Sequence, residues 1–179
     1  MIGAPTIRPA TEDDAPALAD LHVRAWQWAY RGLLPDGYLA DLPRQTADRE
    51  AMWCRQVREP PASSPVWVAE RDGRVIGFCN AVPSRSGEPG TADLLTLYVE
   101  PEVVGTGVGA ALMRRALDDL RARGYRAALL WVLEGNERAR RFYERWGWVP
   151  DGARRSEEIW GAVAEEVRYR IELAEPTRS

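Results

Sequence analysis

The stretch from Leu94 to Leu120 constrains this chain more than any other. It reads as a strand, Leu94-Leu-Thr-Leu-Tyr-Val99, then a glycine-rich turn, Gly105-Thr106-Gly107-Val108-Gly109, then a helix through Ala110 to Leu120. Leu95, Leu97 and Val99 alternate as strand residues do, whereas Val108, Leu112, Ala116 and Leu120 recur at every fourth position, one face of a helix. Glycines at such a junction leave successive backbone N–H groups unpaired at a helix N-terminus, with the positive end of the macrodipole behind them. That combination binds a phosphate or pyrophosphate without any charged side chain, and a Cβ there would hold the anion away. The same glycines also suit a tight turn that merely allows close packing.

With 179 residues, 45% hydrophobic and 28% charged, the chain predicts one globular domain over residues 1–179 with a substantial core. A net charge of −3 gives no general attraction for nucleic acid or an anionic membrane, so an anion site must be built locally. No apolar run approaches the ~20 residues of a membrane span. Met1-Ile-Gly-Ala-Pro lacks the basic start and apolar core of a signal peptide, which predicts a cytoplasmic protein. Cys54 and Cys79 have neither CxxC spacing nor histidines nearby; they predict buried free thiols and no metal site.

Around the central stretch, Thr11-Glu-Asp-Asp14 predicts an acidic helix start. The helix runs from Ala15 to Tyr30 and stops at Arg31-Gly-Leu-Leu-Pro35. His22 lies within it without an obvious partner and reads as an ordinary surface or core residue rather than a catalytic one. Trp28 and Tyr30 read as packing residues that also line a substrate mouth. A second helical region spans Asp36 to Arg58 with a break at Pro43, and the proline run at 60–65 ends it. Asp72-Gly73 between two β-rich runs predicts a type I′ hairpin. Ala127 to Leu133 predicts a buried strand, and Asn136 caps a short amphipathic helix that Gly147 stops. A strand beginning at Trp148, a charged loop from Asp151 to Ala162 and a closing strand from Val167 to Leu173 complete the chain.

Gly105, Gly107 and Ala110 also fit the dinucleotide fingerprint G-x-G-x-x-G/A, with Glu134 ending the next strand. Against that reading, Glu100 to Val104 separate strand from glycine, and only one βαβ unit is present. Leu97-Tyr-Val-Glu-Pro-Glu with Gly105 to Leu112, and Asn136 through Phe142-Tyr143 to Trp148, instead resemble the acyl-CoA motifs of the GNAT superfamily of N-acetyltransferases. Ile7 to Asp14 and Trp28 to Pro35 are similar to a common bacterial branch of it.

The resemblance implies an α/β (α+β) fold, a single domain whose central sheet is mixed, mostly antiparallel and flanked by helices. It implies acetyl-CoA as cosubstrate and a small amine or peptide as acceptor. Dimers are common in the family, and no seam is legible here. Coenzyme contacts fall to Leu97, Tyr98 and Val99, to Val104 through Ala110, and to Asn136. Val104 stands where the family usually carries Arg or Gln, which removes one side-chain contact to pyrophosphate; Arg114, Arg140 and Arg141 are the candidate compensating charges. Tyr143 lies at the family's position for the acid that protonates the departing thiolate. An amine of pKa near ~10.4 is almost entirely charged at neutral pH. A carboxylate can accept that proton, and Asp93 stands where many members of the family carry an acidic residue, so the resemblance implies it as the leading general base, with Glu134 and Glu100 as rivals. Trp28, Tyr30 and Glu134 fall on the acceptor side, with choice of acceptor set by the 28–34 and 151–162 segments.

Overall fold

In the computed structural model of the protein, residues 3–61 and 64–173 are described. Met1-Ile2, Ala62-Ser63 of the proline run and residues 174–179 lie outside them. Helix α1 (Ala15–Ala29) follows a single 3-10 turn, Glu12–Asp14, in which Thr11 and Asp14 form a capping box; the Asp14 carboxylate accepts from the Thr11 N–H at 2.7 Å. Arg8 of strand β1 (Thr6–Pro9) donates to Asp14 and to Glu70, fastening the helix start to the sheet edge. Helices α2 (Asp36–Asp41) and α3 (Thr46–Arg58) are separated by a 3-10 turn at Leu42–Gln45, where Pro43 interrupts the helical ladder. Strands β2 (Val66–Arg71) and β3 (Arg74–Pro83) turn at Asp72-Gly73, whose φ values of 52° and 73° are the left-handed pair of a type I′ turn.

Strand β4 (Thr91–Val99), helix α4 (Val108–Ala122), strand β5 (Ala127–Leu133) and helix α5 (Glu137–Arg145) follow as the periodicities predict. The final segment differs. Most of the predicted loop from Asp151 to Ala162 is strand β6 (Val149–Ile159), joined to β7 (Ala162–Glu172) by Trp160-Gly161, both at positive φ. Its charges suggested a loop, but β6 is an edge strand, where charged side chains are at home. Arg155 pairs with Glu166 and Ser156 donates to Glu165 across the hairpin.

The seven strands run in the order β1-β2-β3-β4-β5-β7-β6, antiparallel throughout except for β4 against β5. One parallel pair is not a doubly wound dinucleotide sheet, so that alternative falls. Alternation along the strands separates two layers. Trp67, Ala69, Cys79 and Ala81 face the α4 residues Leu112, Met113 and Ala116, while Val66, Val68 and Phe78 face α1 and Trp53 of α3. Gly77 permits the α4 layer: a Cβ there would sit 3.0 Å from Leu112 Cδ1 and 3.1 Å from the Tyr98 carbonyl oxygen.

His22 is buried among Trp26, Trp53, Phe78 and Tyr98, with ring centroids 5.3 to 5.8 Å away. Of the two placements its isolation allowed, it takes the core. Burial, reinforced by the nearby Arg49 charge, lowers its pKa from 6.5 to about 3. The folded state thus holds the imidazole neutral. The unfolded chain takes up its proton below pH 6.5, so this contribution to stability is complete above that pH and is lost as pH falls from 6.5 toward 3. We expect the melting temperature, followed by circular dichroism from pH 7 to pH 4, to fall less steeply in His22→Phe than in the wild type; parallel slopes would remove His22 from the account.

Candidate active site

Strands β4 and β5 are paired for only three residues: Thr91↔Ala127, Ala92↔Ala128 and Asp93↔Leu129. Beyond that point β4 stays with β3, and β5 stays with β7 as far as Leu133↔Glu166. A bulge helps turn β4 away. Asn80 pairs with Thr96 and Ala81 with Leu94, leaving Leu95 as the extra residue. Buried Asn80 fixes the spot, accepting from Thr96 at 2.5 Å and donating to Gln56 at 3.2 Å. The parting strands open a cleft of about 490 Å³. Leu94 to Val99 form one wall and Trp131 to Leu133 the other.

The glycine turn closes one end. Gly105 and Gly107 have φ of 83° and 94°, which glycine alone adopts freely, and a Cβ at either would meet nothing within 4 Å. Their backbone conformation, rather than crowding within the protein, requires glycine. Gly107 caps α4, so the first N–H groups of that helix have no intrahelical partner and point out of the turn. At Gly109 an added Cβ would make ordinary contacts at 3.8 Å with Leu97 and Phe142. Neither fold nor packing demands a glycine there, so what it leaves is room on the cleft side. Val104, Gly105, Gly107, Gly109 and Ala110 all line the cleft, whereas Val108, the first residue of α4, is buried in the core and the Thr106 hydroxyl donates to the Val103 carbonyl.

Helix α5 supplies the opposite flank. Buried Asn136 caps it, its Oδ1 accepting from the Ala139 N–H at 3.2 Å, and it also lines the cleft. One helical face turns Phe142 and Tyr143 inward. The Tyr143 phenol makes no hydrogen bond among the described residues, and burial with the nearby Tyr98 pushes its pKa up, holding it protonated. Tyr30 and Tyr98 meet hydroxyl to hydroxyl at 3.2 Å on the α1 side, and burial raises both of their pKa values. Trp28 lies beside them with the Arg138 guanidinium 3.6 Å from its ring centroid.

Several expected site residues are placed elsewhere. Asp93 is not brought into the cleft: its carboxylate accepts from the Ser84 hydroxyl at 2.8 Å and the Arg85 N–H at 2.9 Å, tying down the β3–β4 loop. Glu134 is exposed and ion-paired with Arg154 at 2.6 Å, which holds its carboxyl below the usual carboxylate range. Arg141 pairs with Glu137 one turn back, Arg140 donates to Tyr169 and the Glu134 carbonyl, and Arg114 lies against Trp146. None of these lines the cleft. Instead Arg138, Arg145 and Glu166 do. Glu166 was hidden because its cleft position depends on pairing β7 with β5, and Arg138 because α5 carries five other charges and only the fold selects the face that looks inward.

Residues 18–148 match the family described as the Acetyltransferase (GNAT) family, and the chain belongs to that family of N-acetyltransferases. It is 28% identical over 174 residues to a probable N-acetyltransferase of Mycobacterium tuberculosis, covering 95% of each chain. It is also 31% identical over 147 residues to a mycothiol acetyltransferase of Acidimicrobium ferrooxidans, covering 82% of this chain but only 43% of that relative's length. The fold matches a solved PaiA N-acetyltransferase of Thermoplasma acidophilum in complex with coenzyme A, with a TM-score of 0.71 at 20% identity, over 95% of this chain and 99% of that one.

The entry to the glycine turn is fixed by an ion pair. Glu100, 3% exposed, directly follows β4 and accepts from Arg24 of α1 at 2.5 and 3.2 Å, so the rival base is a structural anchor. Arg24→Met leaves that buried carboxylate unpaired and should lower stability to urea by about 1–3 kcal/mol. Arg58→Met, whose partner Glu12 is exposed, should have a smaller effect. Equal effects would contradict the anchoring role.

Proposed function

We propose that this chain moves an acetyl group from acetyl-CoA directly to a primary amine of a small molecule or peptide, both substrates being bound at once. The observation that carries this reading is the parting of β4 from β5 beside the glycine turn, with the Tyr143 phenol facing the gap. The turn fits a diphosphate, since Gly105 and Gly107 leave open space and the α4 amides are free to donate. Val104 withholds a side-chain contact. Arg145 lines the same cleft near the place where Trp146 meets Arg114 of α4, and this reading gives it the task once expected of Arg141.

Acetyl-CoA supplies an activated acyl carbon and a thiolate leaving group. The chain's own groups do the rest. The unpaired edge of β4 at Leu97 to Val99 offers backbone N–H groups to the carbonyl oxygen as negative charge develops there, an effect worth a few kcal/mol. The ammonium group of the acceptor must first release one proton to a base. Its lone pair then forms the N–C bond as the C–S bond breaks, and the nitrogen loses a second proton. Tyr143 gives its phenolic proton to the sulfur and regains one from the nitrogen side, so the products are an amide, a free thiol and one proton. Cys54 and Cys79 do not line the cleft, and burial pushes the Cys79 thiol up, which supports transfer without an acyl-cysteine.

Val104 favours one second reading, an idle acyl-CoA-binding module of the same fold. Binding and turnover separate the two. Coenzyme A at 100 times its Kd should stabilise the protein by about 2.7 kcal/mol, visible as a thermal shift. Tyr143→Phe should keep that shift and lower kcat by about 10²-fold. Gly109→Ala should match the wild type in urea unfolding yet lose affinity for coenzyme A by about tenfold. A shift with coenzyme A but no thiol release with any amine would establish the idle module, and no shift at all would overturn both readings.

A further inference from the structure

Two charged side chains on the acceptor side of the cleft have no part in holding coenzyme A in the reading above. Glu166, on β7 opposite Leu133, is the single carboxylate among the described cleft-lining residues. Its side chain is 18% exposed, and Arg155 of the neighbouring edge strand holds one of its oxygens. Arg138, in the first turn of α5, lies over the Trp28 ring and has no ion pair with a carboxylate among the described residues. By contrast Arg141, on the same helix, is paired with Glu137, and Arg154 near the cleft with Glu134. An arginine fixed on an aromatic ring inside a cleft, and left without a counter-ion, is built to receive an anion.

We propose that the acceptor is a small amine that also carries an anionic group, as an amino acid does, with its ammonium end at Glu166 and its anionic end at Arg138. The proposal rests on the acetyl-transfer reading and deepens it. Glu166 draws the ammonium group toward the gap and takes its first proton, a task for which Asp93, tied to Ser84 and Arg85 and absent from the cleft lining, is not placed. Arg155 is a positioning residue, fixing the Glu166 carboxylate on the inner side of β7. Tyr30 and Trp28, which both line the cleft, form the aromatic wall against which the body of the acceptor packs. A fork-shaped guanidinium on α5 then selects for the anion and against plain amines and polyamines.

Thiol release by the full chain, measured with matched acceptor pairs, tests this. Glycine, L-leucine and L-phenylalanine are compared with methylamine, isoamylamine and phenethylamine, phosphoethanolamine with ethanolamine, and spermidine serves as a polycation. We expect kcat/KM to favour the anionic members by about tenfold or more. Arg138→Met should abolish that preference by raising acceptor KM while leaving the KM for acetyl-CoA unchanged, and Arg138→Lys should restore part of it. Glu166→Gln should lower kcat/KM for both members of each pair. Equal or better turnover of the plain amines or spermidine overturns the inference and leaves the acetyltransferase standing. A rise in acetyl-CoA KM in Arg138→Met, without loss of the preference, overturns the assignment of Arg138. Absence of turnover with every amine, with the coenzyme A thermal shift intact, overturns the acetyl-transfer reading and this inference with it.

Discussion

Everything in the site depends on the short pairing of β4 with β5. Two parallel strands that stay in register satisfy one another's backbone groups; here they part after Asp93 and Leu129, and the facing edges lose their partners. A buried N–H or carbonyl left unsatisfied costs about 1–3 kcal/mol. The fold keeps this arrangement because each strand is claimed on its other side, β4 by β3 and β5 by β7 along its whole length. The bulge at Leu95, clamped by Asn80, directs β4 outward and commits the open edge to the cleft. A sheet that closed the gap would be more fully paired and would have nowhere to seat a ligand.

Rigidity around the gap comes from what lies beneath it. Tyr98 stacks on His22 at 5.3 Å from below and bonds Tyr30 at 3.2 Å, so the open strand is backed by the aromatic layer between sheet and α1. On the other face Leu97 and Val99 pack against the α4 layer, which Gly77 lets approach closely. The glycine turn is held at its entry by Arg24 and Glu100. Backbone donors placed on such supports need little reorganisation when charge develops near them, the condition under which electrostatic stabilisation is most effective.

Most of the elements were legible because their signals are local. Pro43, Asp72-Gly73, Gly107 and Asn136 each act through their own φ angle or their own hydrogen bond, and each does in the structure what its residue type demands. The misreading of residues 151–162 shows the limit. Charge density is a solvation signal, and an edge strand is as solvated as a loop, so composition could not separate them. The same limit governed the carboxylates. Asp93, Glu100 and Glu134 stand at strand ends next to the motifs, where sequence proximity suggests chemistry, yet each is tied to a neighbour that the sequence places far away or in a loop. Glu166 reaches the cleft only through the pairing of β7 with β5, a contact between segments more than thirty residues apart.

The overall charge of −3 would repel both a coenzyme phosphate and an anionic acceptor, but net charge matters little at the distances of a cleft. Screening confines unpaired surface charges to about 8 Å at physiological ionic strength, so the local set decides. Outside the cleft, many charges are held in pairs, among them Asp14 and Glu70 with Arg8 and Asp151 with Arg168. Inside it, two arginines stand at opposite ends of α5 and one glutamate, already bound by Arg155, faces them from β7. The cleft is thus a positively biased pocket in an acidic protein, and one short helix, α5, supplies it with an arginine near each end, Arg138 and Arg145, and with Tyr143 between them.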